Sequence, residues 1–95
     1  MTLGTQSYSE SELLAILSAS TSADASLVLA RQLITATFNT ANGSDPRPVC
    51  DALSEAHRLL SGFDGKLPYK VARSSGLGRA MIDIADLLER YNRGL

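Results

Sequence analysis

The chain has 95 residues, 44% of them apolar and 20% charged, with a formal net charge of -1 at pH 7. That length suits one domain and leaves too little chain for a second core. The balance lacks the basic excess of a nucleic-acid binder, the single cysteine excludes an internal disulfide, and no apolar run approaches the roughly 20 residues that span a bilayer.

Residues 1–8 are mixed and short, suited to a turn or an extended lead-in rather than a signal peptide. Leu3 and Tyr8 can anchor this lead-in on the first helix. Ser9-Glu10-Ser11-Glu12 fits a capping box, with Ser9 as N-cap and Glu12 at the third helical position. The first helix is expected over residues 10–18, with Leu13, Leu14, Ile16 and Leu17 as its apolar face. A small polar connector, residues 18–22, leads into the second helix, capped by Thr21 with Asp24 or by Ser22 alone. A loop this short favours an antiparallel or angled hairpin.

The second helix, residues 23–42, carries two apolar stripes at helical spacing. Leu27, Ala30, Ile34, Phe38 and Ala41 form one, and Ala25, Val28, Leu29, Leu33 and Ala36 form the other. Only Arg31, Gln32, Asn39 and a few hydroxyls remain for water, so neighbours should bury it from several sides. Asn42-Gly43 supplies the stop. Asp45 then stands as N-cap with Pro46 as the first residue of a third helix, residues 46–61. Its buried face is Val49, Ala52, Leu53, Ala56, Leu59 and Leu60, and Gly62 ends it.

Residues 63–75 form the longest non-helical stretch, with a tight turn at Asp64-Gly65-Lys66 and Leu67 biased away from helix by Pro68. Ser74 or Ser75 can cap the last helix, residues 75–92. Leu77, Met81, Ile84, Ala85, Leu88 and Tyr91 share its apolar face, broadened by Ile82 and Leu87. Asp86 with Arg90 and Glu89 with Arg93 are four apart, as exposed ion pairs are. Gly94 stops this helix. The expected fold is all-α: a small four-helix bundle-like domain with an apolar central second helix and a long loop before the last.

Chemistry is sparse. His57 is the only histidine and sits mid-helix as a surface or boundary residue, with no placed partner for acid–base work. Cys50 lies near a helix N-terminus, where a thiol can be activated, but it reads better as a small buried residue. One histidine and one cysteine cannot build a standard zinc site. Asn42, Ser44 and Asp45, or Asp64, offer oxygens without the spacing of a calcium loop, and Asp45 reads as a cap. Asp83 and Asp86 are carboxylates three apart with Arg79 and Arg90 as ordinary partners. Asn42-Gly43-Ser44 matches a glycosylation sequon but reads first as a helix stop, and Gly76-Leu77-Gly78-Arg79 lacks the ending of a phosphate loop. A helix-turn-helix reading of the first two helices fails on the second, whose face should be buried. The expectation is therefore no enzyme and no cofactor. Phe63, Lys66, Tyr69, Lys70 and Arg73 cluster in the long loop as the candidate binding residues, suited to an acidic or glycan-like partner. The plainer alternative is a packed connector in which Phe63 and Tyr69 cover the core.

The phrases Leu3-Gly4-Thr5-Gln6-Ser7-Tyr8-Ser9, Asp24-Ala25-Ser26-Leu27-Val28-Leu29-Ala30-Arg31-Gln32-Leu33-Ile34 and Ala41-Asn42-Gly43-Ser44, continued by Gly62-Phe63 and by residues 81–92, carry a resemblance over almost the whole chain. The chain resembles an uncharacterised all-helical module of large secreted or surface proteins of bacteria. The resemblance implies a secreted or cell-surface, modular and non-catalytic setting. In that setting the expected partners are neighbouring domains of the same polypeptide or another protein, while the charge balance and the lack of a long apolar run point to no nucleic acid and no membrane insertion. It carries no catalytic or ligand residues. Such modules often follow a segment rich in Gly, Trp, Lys, Asn and His, and no such segment occurs in this sequence.

Overall fold

The structure is a computed structural model and describes residues 1–18, 23–63 and 65–93. Two short strands, β1 (Thr2–Leu3) and β2 (Gln6–Ser7), precede helices α1 (Glu10–Ser18), α2 (Ala25–Ala41), α3 (Cys50–Leu60) and α4 (Gly76–Asn92). A single 3-10 turn, Arg47–Val49, leads into α3. The domain is a small four-helix assembly built around α2, with the long loop before α4.

The lead-in is a hairpin, which its composition did not indicate. β1 and β2 pair antiparallel, Thr2 opposite Ser7 and Leu3 opposite Gln6. Gly4 turns the chain at φ +63°, and a Cβ there would lie 2.9 Å from the Leu60 carbonyl carbon at the end of α3. Only glycine permits both the conformation and the approach. The hairpin buries Leu3 completely and Tyr8 almost so, and both join the common core.

The capping box at α1 forms in both directions. Ser9 N–H donates to Glu12 Oε1 at 2.8 Å, and Glu12 N–H donates to Ser9 Oγ at 3.2 Å. Leu13 and Ile16 are buried and Leu17 packs at the core margin, but Leu14 is 56% exposed. It stands about 100° around the helix from Leu13, off the side that α2 covers.

α2 supplies the centre of the core: Ala25, Leu29, Ala30, Leu33, Ile34 and Ala36 are all fully buried. Its two stripes are buried except at the margin and the C-terminal end. Val28 is half-buried, Ala41 is exposed, and Phe38 is 44% exposed. α1 has nine residues, or about 13 Å of helix, and it enters at the start of α2, so it does not reach the last turn. Asn42 is the C-cap, followed by Gly43 at φ +103°. The N-cap is Asp24, while Thr21 and Ser22 lie outside the described residues, as do Asp64 and Gly94.

The third helix begins later than its sequence suggests. Asp45 accepts from Arg47 N–H at 3.0 Å, which tightens the first turn to 3-10 geometry, and the α-helix starts only at Cys50 with no side-chain cap. Pro46 and Pro48 fit this turn because neither has an N–H to place. Val49, Ala52, Ala56, Leu59 and Leu60 are buried, with Leu53 at the margin.

α4 packs most extensively against α2. The two run in the same direction. Ala25 N–H, at the start of α2, donates to Val71 O just before α4, and Asn39, near the end of α2, donates to Asn92 Oδ1 at 3.0 Å. Asn92 in turn donates to the Gln32 carbonyl oxygen and, at 2.8 Å, to its Oε1. Polar links of this kind fix how one helix is set along another. Met81, Ala85 and Leu88 are buried, whereas Leu77 in the first turn is 40% exposed and Leu87 is 47% exposed. Ser75 caps α4 by accepting from Gly78 N–H. Gly78 is required by contact: a Cβ there would sit 1.9 Å from Ala72 O. Glu89 pairs with Arg93, while no ion pair joins Asp86 to Arg90 among the described residues.

Candidate functional site

The candidate loop, residues 63–73, folds back across the ends of α1 and α2, and side chains from both hold it. Phe63 and Tyr69 stack with ring centroids 4.3 Å apart and an interplanar angle of 6°. Both are half-buried against the core. Lys66 Nζ lies 2.8 Å from Glu12 Oε2 and 3.0 Å from Oε1, and 5.3 Å from the centre of the Tyr8 ring. The Leu67-Pro68 bond is cis. Leu67 N–H donates to Tyr8 Oη at 2.8 Å, and Tyr69 Oη donates to Gly65 O at 2.9 Å.

Asp24 anchors the far side of the loop. Its carboxylate accepts from Ser26 N–H at 2.9 Å and Ser26 Oγ at 2.6 Å within its own helix start. It also accepts from Lys70 N–H at 3.0 Å and Val71 N–H at 3.1 Å. Ser26, completely buried, accepts from Tyr69 N–H at 3.2 Å. One N-cap residue therefore starts α2 and fixes the loop, and Lys70 takes φ 54° to present its amide.

The electrostatics follow these contacts. The Lys66 ammonium and the Ser9 N–H hold the Glu12 carboxyl down at about 2. Burial pushes Asp24 upward, but its hydrogen bonds from Ser26, Val71 and Lys70 outweigh that and lower it. Burial and the neighbouring Tyr8 hydroxyl push the Tyr69 phenol up to about 12.

Of the five sequence candidates, the structure draws Phe63, Lys66 and Tyr69 into one cluster with Tyr8 and Glu12. Lys70 contributes its backbone to Asp24 while its side chain and that of Arg73 are exposed. Beside the cluster is a cleft of about 240 Å³ lined by Tyr8, Glu12, Ala15, Ile16, Leu27, Leu67 and Pro68. The loop enters that cleft with its apolar residues. Sequence reasoning missed Tyr8, Asp24 and Ser26 as partners of the loop. Ser26 carried a signal, since it is a polar residue one position from two buried stripes.

The remaining candidates lie elsewhere. Cys50 is exposed, against the expectation of burial, because the 3-10 turn brings Val49 rather than Cys50 to the core. It lies seven residues, or about 10 Å of helix rise, from His57, beyond hydrogen-bond reach. His57 is half-buried, and its Nδ1 accepts from Gly4 N–H at 3.1 Å. Asp45 is engaged by Arg47 at 2.7 Å on the surface. Gln32 on α2 is occupied by Asn92. Among the described residues, no three His, Cys, Asp or Glu side chains gather as a metal site, and no helix is long and apolar enough to cross a membrane.

These features define a small all-α domain with a loop braced against its first two helices. No protein-family model matches the chain, and no curated protein and no solved structure is similar to it.

Proposed function

We propose that this domain is a non-catalytic structural or protein-interaction module of a larger extracellular bacterial protein. The observation that carries this reading is how the loop uses its polar groups. Lys66 is spent on Glu12, the Tyr69 hydroxyl on Gly65, and the Lys70 and Val71 amides on Asp24. A loop so occupied is a brace that stiffens the domain. The surface left for contact includes the exposed apolar side chains Leu14, Phe38, Leu77 and Leu87. The extracellular setting rests on the resemblance of the sequence phrases. The test is light scattering across a concentration series, alone and with candidate neighbouring domains added, on the wild type and on a Phe38→Ser, Leu87→Ser double variant. Association that the double variant loses supports the module reading. A wild type that stays monomeric and ignores every neighbour counts against it.

A second reading, a small ligand-binding module, is favoured by the cleft that Leu67 and Pro68 line with Tyr8, Ala15, Ile16 and Leu27. Because Lys66 and Tyr69 are engaged internally, the group it suits is apolar rather than acidic or glycan-like. Short alkanols titrated into labelled protein should shift the Ala15 and Leu67 resonances. Leu27→Trp, which fills the cleft, should abolish those shifts, and an unchanged wild-type spectrum would exclude the reading.

A further inference from the structure

We propose that the hydrogen bond from Gly4 N–H to His57 Nδ1 is a pH-sensitive latch: neutral His57 holds the N-terminal hairpin on the end of α3, and protonation of His57 releases it. The bond is 3.1 Å long and joins residues 53 positions apart. To accept there, the neutral imidazole must carry its one proton on Nε2. A proton added at Nδ1 turns the acceptor into a donor and sets two N–H groups against each other.

The hairpin has little freedom to avoid that conflict. Its turn meets the α3 backbone at a distance that leaves no room for a Cβ on Gly4. The imidazole meets the Gly4 amide beside this contact with the Leu60 and Ser61 backbone. Release would withdraw Leu3, fully buried when docked, and would loosen Tyr8, which also accepts from Leu67 N–H and lines the cleft. The latch thus links the titration of one side chain to the opening of an apolar surface.

The charged groups around His57 are engaged elsewhere or lie on other elements, and the Met1 ammonium beside the hairpin donates to Tyr8 O at 3.2 Å. On α3, Glu55 and Arg58 pair with each other, and Asp51 lies in the first turn, away from the hairpin. The hairpin, residues 2–7, has no ionisable side chain. The ionisable residues on the elements packed against α3 are Arg31 on α2, Arg47 in the 3-10 turn, and Arg79, Asp83, Asp86, Glu89, Arg90 and Tyr91 on α4. Burial alone lowers His57 from its ordinary value of 6.5. The sign is that of a depressed group: the folded state prefers the neutral ring, so docking is fully supported above about pH 6.5 and weakens as pH falls through the lower folded value.

Hydrogen exchange followed by NMR on the whole chain tests this, with rates corrected for the intrinsic effect of pH. Between about pH 7.5 and about pH 5, protection of the Gly4 and Tyr8 amides should fall about tenfold relative to Leu33 in α2, in step with His57 ionisation. His57→Asn places a non-titrating acceptor near the Nδ1 position and should keep the hairpin protected at both pH values. His57→Ala should lower protection of the Gly4 amide to the same extent at both, with no pH dependence. Protection of Gly4 and Tyr8 that ignores pH in the wild type overturns the latch, as does a pH-dependent loss that persists in His57→Asn. Should the variants fail to fold, the wild-type comparison of the Gly4 amide titration with that of the His57 ring decides alone, and non-coincident curves overturn the proposal.

Discussion

Replacing Asp24 with alanine should cost more stability than almost any other surface-accessible change in this chain. The carboxylate caps α2 and holds two loop amides, so its loss acts in two places. Removing an N-cap costs about 1 kcal/mol. Val71 N–H is part-buried and loses a charged acceptor at 3.1 Å, which costs about 1.5–3 kcal/mol. The Lys70 amide is exposed and water can replace its partner, so it adds no more than about 1 kcal/mol. The sum is about 2.5–5 kcal/mol, a large part of the roughly 5–14 kcal/mol expected for a domain of this size. Each kcal/mol shifts Tm by about 4–8 °C in such a domain, so Tm should fall by about 10–40 °C. Thermal and urea unfolding followed by circular dichroism would measure it.

Asp24→Asn should lose much less. Its one carbonyl oxygen can stand where Oδ1 accepts from Ser26 and Val71, so the α2 cap and the Val71 bond remain, and the amide nitrogen would replace only Oδ2, facing the exposed Lys70 N–H at a cost of about 1 kcal/mol. Because the folded carboxyl lies below 3.8, its contribution is present above that value and is lost as pH falls through the lower folded one. The asparagine variant should therefore lack this part of the acid destabilisation. An alanine variant within about 0.5 kcal/mol of wild type would refute the view of Asp24 as the anchor of the loop.

Three other outcomes follow from single contacts. Gly78→Ala should destabilise by about 2–3 kcal/mol, because its Cβ would overlap the Ala72 carbonyl, whereas Gly76→Ala, with open space around it, should gain about 0.4–1 kcal/mol; unfolding midpoints compare the two. Tyr91→Phe should be neutral or raise stability by about 1 kcal/mol, since the Tyr91 hydroxyl is buried without a hydrogen-bond partner, and a loss above about 1 kcal/mol would reveal a contact that the geometry lacks. Lys66→Ala should raise the Glu12 carboxyl from about 2 toward its ordinary 4.5, leaving the Ser9 N–H to hold part of the shift; carboxyl-carbon NMR titration reads this directly.

The helices, their order and most of their ends were determined by the sequence itself. Those features rest on residues three or four apart: the reciprocal Ser9–Glu12 cap, the stripes of α2, the stop at Asn42-Gly43 and the Ser75 cap before α4. Periodicity also identified which residues share a face, but not how far along that face a neighbour reaches. That is why Leu14, Phe38 and Leu77, placed on apolar stripes, are exposed. The candidate loop was legible as ordered and as rich in basic and aromatic groups, but the partners of those groups were not. Tertiary structure alone joined Lys66 to Glu12 across 54 positions, Val71 to Asp24 across 47 and Gly4 to His57 across 53. It also decided that α2 and α4 run in the same direction and that Leu67 and Pro68 face a cleft. Such pairings depend on how helices cross and how closely backbones approach, and short-range spacing along the chain carries no record of either.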